Sequence, residues 1–264
     1  MRTKDERRAK IVARIDEALR TDQLAPADAG SLAGTCTFMS TTTFGKVGRK
    51  DIKRLHQRQH SARGSDRLNP LLRRALLSLR RIVQVAKPRC VYDIGSGRSR
   101  RVVYSDAQGA GGVGAVVFRG DDSAPLFCRW RVPARWIRQL RARKNQVEAF
   151  EALGPGLALA TFPDILRDSD VLFFIDNTAA QSLLSGGAAE DEDLGEISAA
   201  FWCEAARLSV GAWFERVDTH ANIADTPSRD GTDVPLGSTS CGALRHLGAR
   251  ERTAAEPDIP FFTS

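Results

Sequence analysis

Val102-Val103-Tyr104-Ser105-Asp106-Ala107-Gln108-Gly109 runs into Gly111-Gly112-Val113-Gly114-Ala115-Val116-Val117-Phe118. Two β-rich apolar runs flank a cluster of small residues, which predicts a hairpin with one carboxylate at the end of its first strand. Little side-chain bulk stands beside Asp106, so a phosphate or a metal ion can approach it closely. An Asp beside a turn also serves as an ordinary turn residue. The rest of the chain has to decide between the two.

Downstream, Leu126–Val132 is a third strand-like run joined by a short turn, and the three together predict an antiparallel meander. Trp136 to about Phe162 is expected to be mostly helical, with a break or kink at Gly154-Pro155-Gly156. The unbroken apolar run Val171-Leu172-Phe173-Phe174-Ile175 predicts a strand buried on both faces, ending at Asp176-Asn177-Thr178. A short helix over 179–184, a loop or helix start over the acidic 190–196, an amphipathic helix over 197–210, a fifth strand over 212–217 and a helical piece over 221–229 follow. This order predicts an α/β domain over residues 101–230, a mixed five-stranded sheet flanked by helices. Residues 231–264 read as rich in Gly, Pro, Ser and Thr and are expected to form a poorly ordered tail.

Upstream, apolar residues recur at helical spacing over 5–19, Pro26 opens a second helix to about Phe44, and a basic third helix covers 51–60. Pro70 opens a fourth helix through Leu71, Leu72, Ala75, Leu76, Leu79, Ile82 and Val83, which form its packing side, while its other face carries Arg73, Arg74, Arg80 and Arg81, available to phosphates. Residues 1–90 therefore read as a small all-helical basic region, and 91–100 as a linker. The glycine-rich Val91-Tyr92-Asp93-Ile94-Gly95-Ser96-Gly97 is similar to the first motif of adenosylmethionine-dependent methyltransferases, but only Arg98–Arg101 separate it from the next strand, where that family needs a helix.

The charge is divided unevenly. Residues 1–101 hold 24 Lys and Arg against 9 Asp and Glu, and the remainder holds 15 against 23, within a net charge of +7. Such asymmetry suggests a first half that holds a polyanion and a second whose carboxylates serve another purpose. Cys36, Cys90, Cys128, Cys203 and Cys241 are scattered with no CxxC pair, so they are expected to be reduced thiols. No apolar run reaches the length of a membrane span and no apolar h-region follows Met1, so an intracellular location, cytoplasmic or nuclear, with no membrane partner is expected.

With the first and fourth strands as neighbours, Asp106 and Asp176 emerge at one edge of the sheet. Glu151 lies on the intervening helix and Asp225 on the last helical piece. Four converging acids repel one another unless cations bind, which makes the cluster a natural site for Mg²⁺ or Mn²⁺. Two such ions can serve phosphodiester hydrolysis.

Tyr104-Ser105-Asp106-Ala107 with Gly114-Ala115-Val116, then Phe174-Ile175-Asp176-Asn177-Thr178-Ala179-Ala180, then Asn222-Ile223-Ala224-Asp225-Thr226-Pro227-Ser228-Arg229 resemble the ribonuclease H domain of retroelement reverse transcriptases, the DIRS-like group in particular. The resemblance implies a ribonuclease H-like sheet over roughly 101–230. It further implies a catalytic, metal-binding quartet Asp106, Glu151, Asp176 and Asp225, with Glu148 as the alternative second acid. Leu32–Phe38 and Phe44–Arg49 look like the thumb or connection region of such a polymerase, while no Tyr-x-Asp-Asp polymerase motif occurs. The implied function is two-metal cleavage of the RNA strand of an RNA–DNA hybrid, within the remainder of a reverse transcriptase polyprotein. The alternative is a catalytically decayed or repurposed nucleic-acid-binding module of the same origin. Asn177, Arg135 and Arg138 join the helix-four arginines as expected nucleic-acid contacts. Trp136, on a basic helix, is expected to be exposed toward the hybrid, whereas Trp130, Trp202 and Trp213 suit core packing. The family's mobile His falls at Glu215 here; His220, five residues before Asp225, could take its product-release role or be a plain loop residue.

Overall fold

The computed structural model describes residues 5–41, 46–61, 66–85, 97–121, 123–144, 146–229, 244 and 246–263. The chain divides into two units, Met1–Val91 and Tyr92–Ser264. The glycine-rich 91–97 stretch lies, but for Gly97, outside the described residues.

In the first unit, α1 (Asp5–Thr21), α2 (Pro26–Ser40), α3 (Arg49–Gln59) and α4 (Pro70–Val85) pack together. α1 buries Ile11 and Ile15, and α4 buries Leu72, Leu76, Leu79 and Val83, so each helix turns one apolar stripe inward. α2 is described as far as Ser40, and its expected end near Phe44 lies outside the described residues.

Among its described residues the second unit is built on a six-stranded sheet, in the order β5 (Gly211–Arg216), β4 (Asp170–Ile175), β1 (Arg100–Ala107), β2 (Gly112–Phe118), β3 (Leu126–Arg131) and β6 (Arg250–Glu251). Strands β1 (Arg100–Ala107), β2 (Gly112–Phe118) and β3 (Leu126–Arg131) form the antiparallel meander. β4 (Asp170–Ile175) lies parallel to β1, and β5 (Gly211–Arg216) parallel to β4. The parallel pairings require crossovers, which α6 (Val147–Thr161) with the single turn α7 (Pro163–Leu166) after it, α8 (Thr178–Gly186) and α9 (Glu192–Arg207) supply, with α6, α8 and α9 on one face of the sheet. A five-residue helix, α10 (Asp225–Arg229), covers β2 and β1. Ser105 meets α6 while its neighbour Asp106 meets α10, as alternation along a strand demands.

Three expectations change. The sheet has six strands, not five, because Arg250–Glu251 (β6) pairs parallel with the free side of β3. The tail therefore contributes to the fold, and Ile259 and Phe262 are buried in it; residues 230–243 lie outside the described ones. The stretch from Trp136 to Phe162 is two helices, α5 (Ala134–Ile137) and α6, separated by an irregular loop. Ion pairs hold that loop out of helix: Arg143 grips Asp191 at 2.9 Å and Asp193 at 2.6 Å, and the Arg141 amide donates to Asp193 at 2.9 Å. Gly154-Pro155-Gly156 does not break α6. Gly154 is there for approach, since a Cβ on it would stand 2.7 Å from the Ser105 Cβ. Pro155 removes one N–H from the helix ladder at a position where α6 is otherwise held by packing on the sheet.

Trp136 is also misplaced by the sequence reading. It is fully buried, stacked on Phe262 at 4.7 Å between ring centroids and edge-on to Trp130 at 5.3 Å. The polypeptide that covers it lies more than a hundred residues away in sequence.

Candidate active site

The parallel register of β1 and β4 sets the site. Tyr104 pairs with Phe174, their rings stacking at 4.8 Å, so two residues further along Asp106 and Asp176 leave the sheet side by side at the carboxyl ends of adjacent strands. Glu151 comes from the other face, on the second turn of α6, and its Oε1 accepts a 3.1 Å hydrogen bond from the Ala107 amide. Asp106, Glu151 and Asp176 each offer a carboxylate oxygen, all within 4.8 Å of one another. Asp225, at the start of α10, lines the same open pocket with Thr219 and Arg229. Its carboxylate is held by Arg229 Nε at 2.6 Å, an i,i+4 pair.

The electrostatics of this arrangement are unfavourable as they stand. Two unit charges about 4 Å apart repel by about 4 kcal/mol at an effective dielectric constant near 20. Burial pushes the Glu151 carboxyl up to about 9, with the charges of Asp106 and Asp176 adding to it and the Ala107 amide opposing. Burial likewise raises Asp106 to about 6, against the Ser228 hydroxyl that stabilises its charged form. Among the described residues, Glu151 Oε2 is buried with no hydrogen-bond partner. An unpartnered buried carboxylate oxygen facing two further carboxylates is what a divalent cation would satisfy. The donor set, all hard oxygen, fits Mg²⁺ or Mn²⁺.

Of the two acids left open for the second position, the structure brings Glu151 into the cluster; Glu148, half-buried at the start of α6, is outside it. The other expected residues divide. Asn177 is the N-cap of α8, its side-chain oxygen accepting from the Ala179 and Ala180 amides at 3.0 and 3.1 Å, while it also borders the pocket. Asn177→Ala should therefore lower stability by about 1 kcal/mol in urea denaturation, from loss of the cap. His220 is exposed on a single turn of 3₁₀ helix, Thr219–Ala221, next to the pocket residue Thr219. Arg73 and Arg80 are ion-paired within the helical unit, to Asp22 at 2.5 Å and to Asp16 at 2.6 Å. Arg74 and Arg81 stand on the exposed side of α4, with half-exposed Leu77 between them. Arg135 pairs with Glu256 at 2.5 Å, and Arg138 is exposed.

Two residues that sequence reasoning did not single out bear on the site. Asn222 and Ser228 both hydrogen-bond the Asp106 carboxylate. They lie in the motif around Asp225, but nothing in the spacing of that motif points to a partner more than a hundred residues earlier.

The fold is ribonuclease H-like, a meander extended by two parallel strands, and a carboxylate cluster stands at the central strand ends. No family model matches the chain, and no curated protein sequence does. Among solved structures, it is similar to the N-terminal ribonuclease H domain of a Mycobacterium tuberculosis protein, solved as a fusion with maltose-binding protein, at 19% identity over 57% of this chain and 99% of that one, with a TM-score of 0.40. It is similar also to ribonuclease H1 of the halophilic archaeon Halobacterium salinarum, at 21% identity over 52% of this chain and 98% of that one, with a TM-score of 0.38.

Proposed function

We propose that the protein is a metal-dependent endoribonuclease of ribonuclease H type, derived from a DIRS-like reverse transcriptase, that hydrolyses the RNA strand of RNA–DNA hybrids. The observation that carries this reading is the trio Asp106, Glu151 and Asp176 at the carboxyl edge, with a buried carboxylate oxygen that has no hydrogen-bond partner among the described residues. Asp106, Glu151, Asp176 and Asp225 would hold two Mg²⁺ or Mn²⁺ ions, which when bound supply an activated water and charge neutralisation at the scissile phosphate. The residues of the chain then do three things. Asp106 and Asp176 orient that centre from a rigid sheet edge, Glu151 fixes its depth through the Ala107 amide, and the open pocket leaves room for a strand to lie across it.

Selection for a hybrid would come from groove width and ribose 2′-hydroxyls, not from base edges. Grip on the backbone falls to exposed cations, Arg74 and Arg81 on α4 and Arg138 after α5. Replacing Arg74 and Arg81 together by Ala should weaken hybrid binding across all sequences alike and reduce the slope of log affinity against log salt by about 2. An unchanged slope would remove α4 from the interface.

The deciding assay is incubation of the full chain with a hybrid labelled on each strand, with Mn²⁺, Mg²⁺ or a chelator, beside a DNA duplex. Metal-dependent loss of the RNA strand alone is the expected result. Salt-dependent hybrid binding with no cleavage would replace the enzyme by a decayed binding module, and cutting of the duplex would make it a DNA nuclease.

A further inference from the structure

The chain's last acidic motif does more than deliver Asp225. The α10 segment lies directly on bare backbone: a Cβ at Gly112 would stand 2.1 Å from the Ser228 carbonyl oxygen, and one at Gly114 would stand 2.6 Å from the Ser228 amide nitrogen. Gly114 is the register partner of Asp106, so this close seating puts Ser228 and Asn222 over the first acid. The Ser228 hydroxyl donates to Asp106 Oδ2. The same hydroxyl is 2.9 Å from the Asp225 carbonyl, but it has a single proton, and the charged acceptor is the stronger one. Asn222 Nδ2 reaches Asp106 Oδ1 at 3.3 Å and the Ser105 carbonyl at 3.0 Å, while its own Oδ1 accepts from the Ala224 amide at 3.2 Å. All three side chains are buried.

We infer that Asn222 and Ser228 are positioning residues that clamp Asp106 by both of its oxygens, so that the metal-holding cluster reaches working geometry only when α10 is seated on β2. The inference rests on the metal-site reading above and goes beyond it in assigning the orientation of the first acid to two neutral side chains. With each oxygen already engaged on one side, Asp106 cannot rotate its carboxylate away from Glu151 and Asp176 to relieve their repulsion. Outer partners of this kind commonly change metal affinity by about 10- to 100-fold when removed.

Mn²⁺ binding to the full chain, followed by calorimetry and by the electron paramagnetic resonance signal of free Mn²⁺, tests this with Ser228→Ala and Ser228→Thr. The expected result is an affinity about 10- to 100-fold weaker in Ser228→Ala and within about threefold of wild type in Ser228→Thr, which keeps the donor. Hydrolysis by Ser228→Ala should be restored by excess Mn²⁺ with KM for the hybrid unchanged, a response that simple loss of packing would not give. Should Ser228→Ala not fold, Ser228→Cys, a weak donor of similar volume, carries the same expectation. Equal Mn²⁺ affinity in wild type and the folded variant overturns the clamp and leaves the metal site standing. A wild-type chain that binds no Mn²⁺ overturns the metal site and the clamp with it.

Discussion

Asp176→Asn is expected to lower metal-dependent cleavage of the hybrid by about a thousandfold or more, with hybrid affinity and its salt dependence within a few-fold of wild type. Asp176 follows β4 directly and is only half-buried, so its carboxylate contributes little to packing. Asparagine has the same shape and can occupy the same place beside Asp106 and Glu151. What it removes is one negative charge and one of the two carboxylate oxygens, leaving a neutral amide oxygen that attracts a hard divalent cation far less. Single-turnover cleavage and filter binding on the same preparation separate the two effects. A variant that cuts at the wild-type rate would move the catalytic site away from this cluster, whatever the fold.

Glu151→Gln should be inactive and, without metal, more stable than wild type. The sign follows from the raised carboxyl. Below its ordinary value of 4.5, Glu151 is protonated in folded and unfolded chains alike and contributes nothing to pH dependence. As pH rises toward about 9, the unfolded chain gains by ionising while the folded one is held neutral, so wild-type stability falls through that window. Asp106, raised to about 6, adds a smaller loss in the acidic part of the same range. Glutamine keeps an oxygen for the Ala107 amide and cannot ionise. At pH 8 the metal-free variant should melt about 5 °C or more above wild type, on the scale of a few degrees per kcal/mol for a domain of this size. Mn²⁺ should raise the melting temperature of wild type and leave that of the variant nearly unchanged. A variant that melts lower than wild type at pH 8 and as wild type does at pH 5 would mean that Glu151 is stabilising as an anion, contrary to its surroundings.

How far the chain could be read from its residues depended on the range of the forces involved. Asp106 and Asp176 were legible because each ends a run whose β-branched and aromatic content announces a strand. The pairing of β1 with β4 is a premise of their convergence, and the parallel register between the two strands meets it. Glu151 and Glu148 could not be separated by spacing alone; burial on the sheet side of α6 separates them. The meander, the helix after β4 and the short helix at Asp225 also emerge where their patterns place them. What escaped was decided at long range. β6 is two residues long, too short for any alternation to show. Trp136 sits among arginines in sequence, and its burial depends on Phe262. The ion pairs of Arg73 and Arg80 with Asp22 and Asp16, on or just beyond α1, are announced by nothing in the spacing of α4. The hydroxyl that holds Asp106 is 122 residues away from it in the chain.

The late position of β6 has a consequence for biosynthesis. A ribosome delivers β1 to α10 in order, and by then all four acids have been made. Yet the outer side of β3 and the indole of Trp136 still await residues 250–262. Between those two moments a nascent chain carries its full complement of carboxylates beside an open strand edge and a bare aromatic surface, which is where another nascent chain could pair with it. A stop codon just after α10 would freeze that interval into a product, one that retains every acid and still accumulates as aggregate.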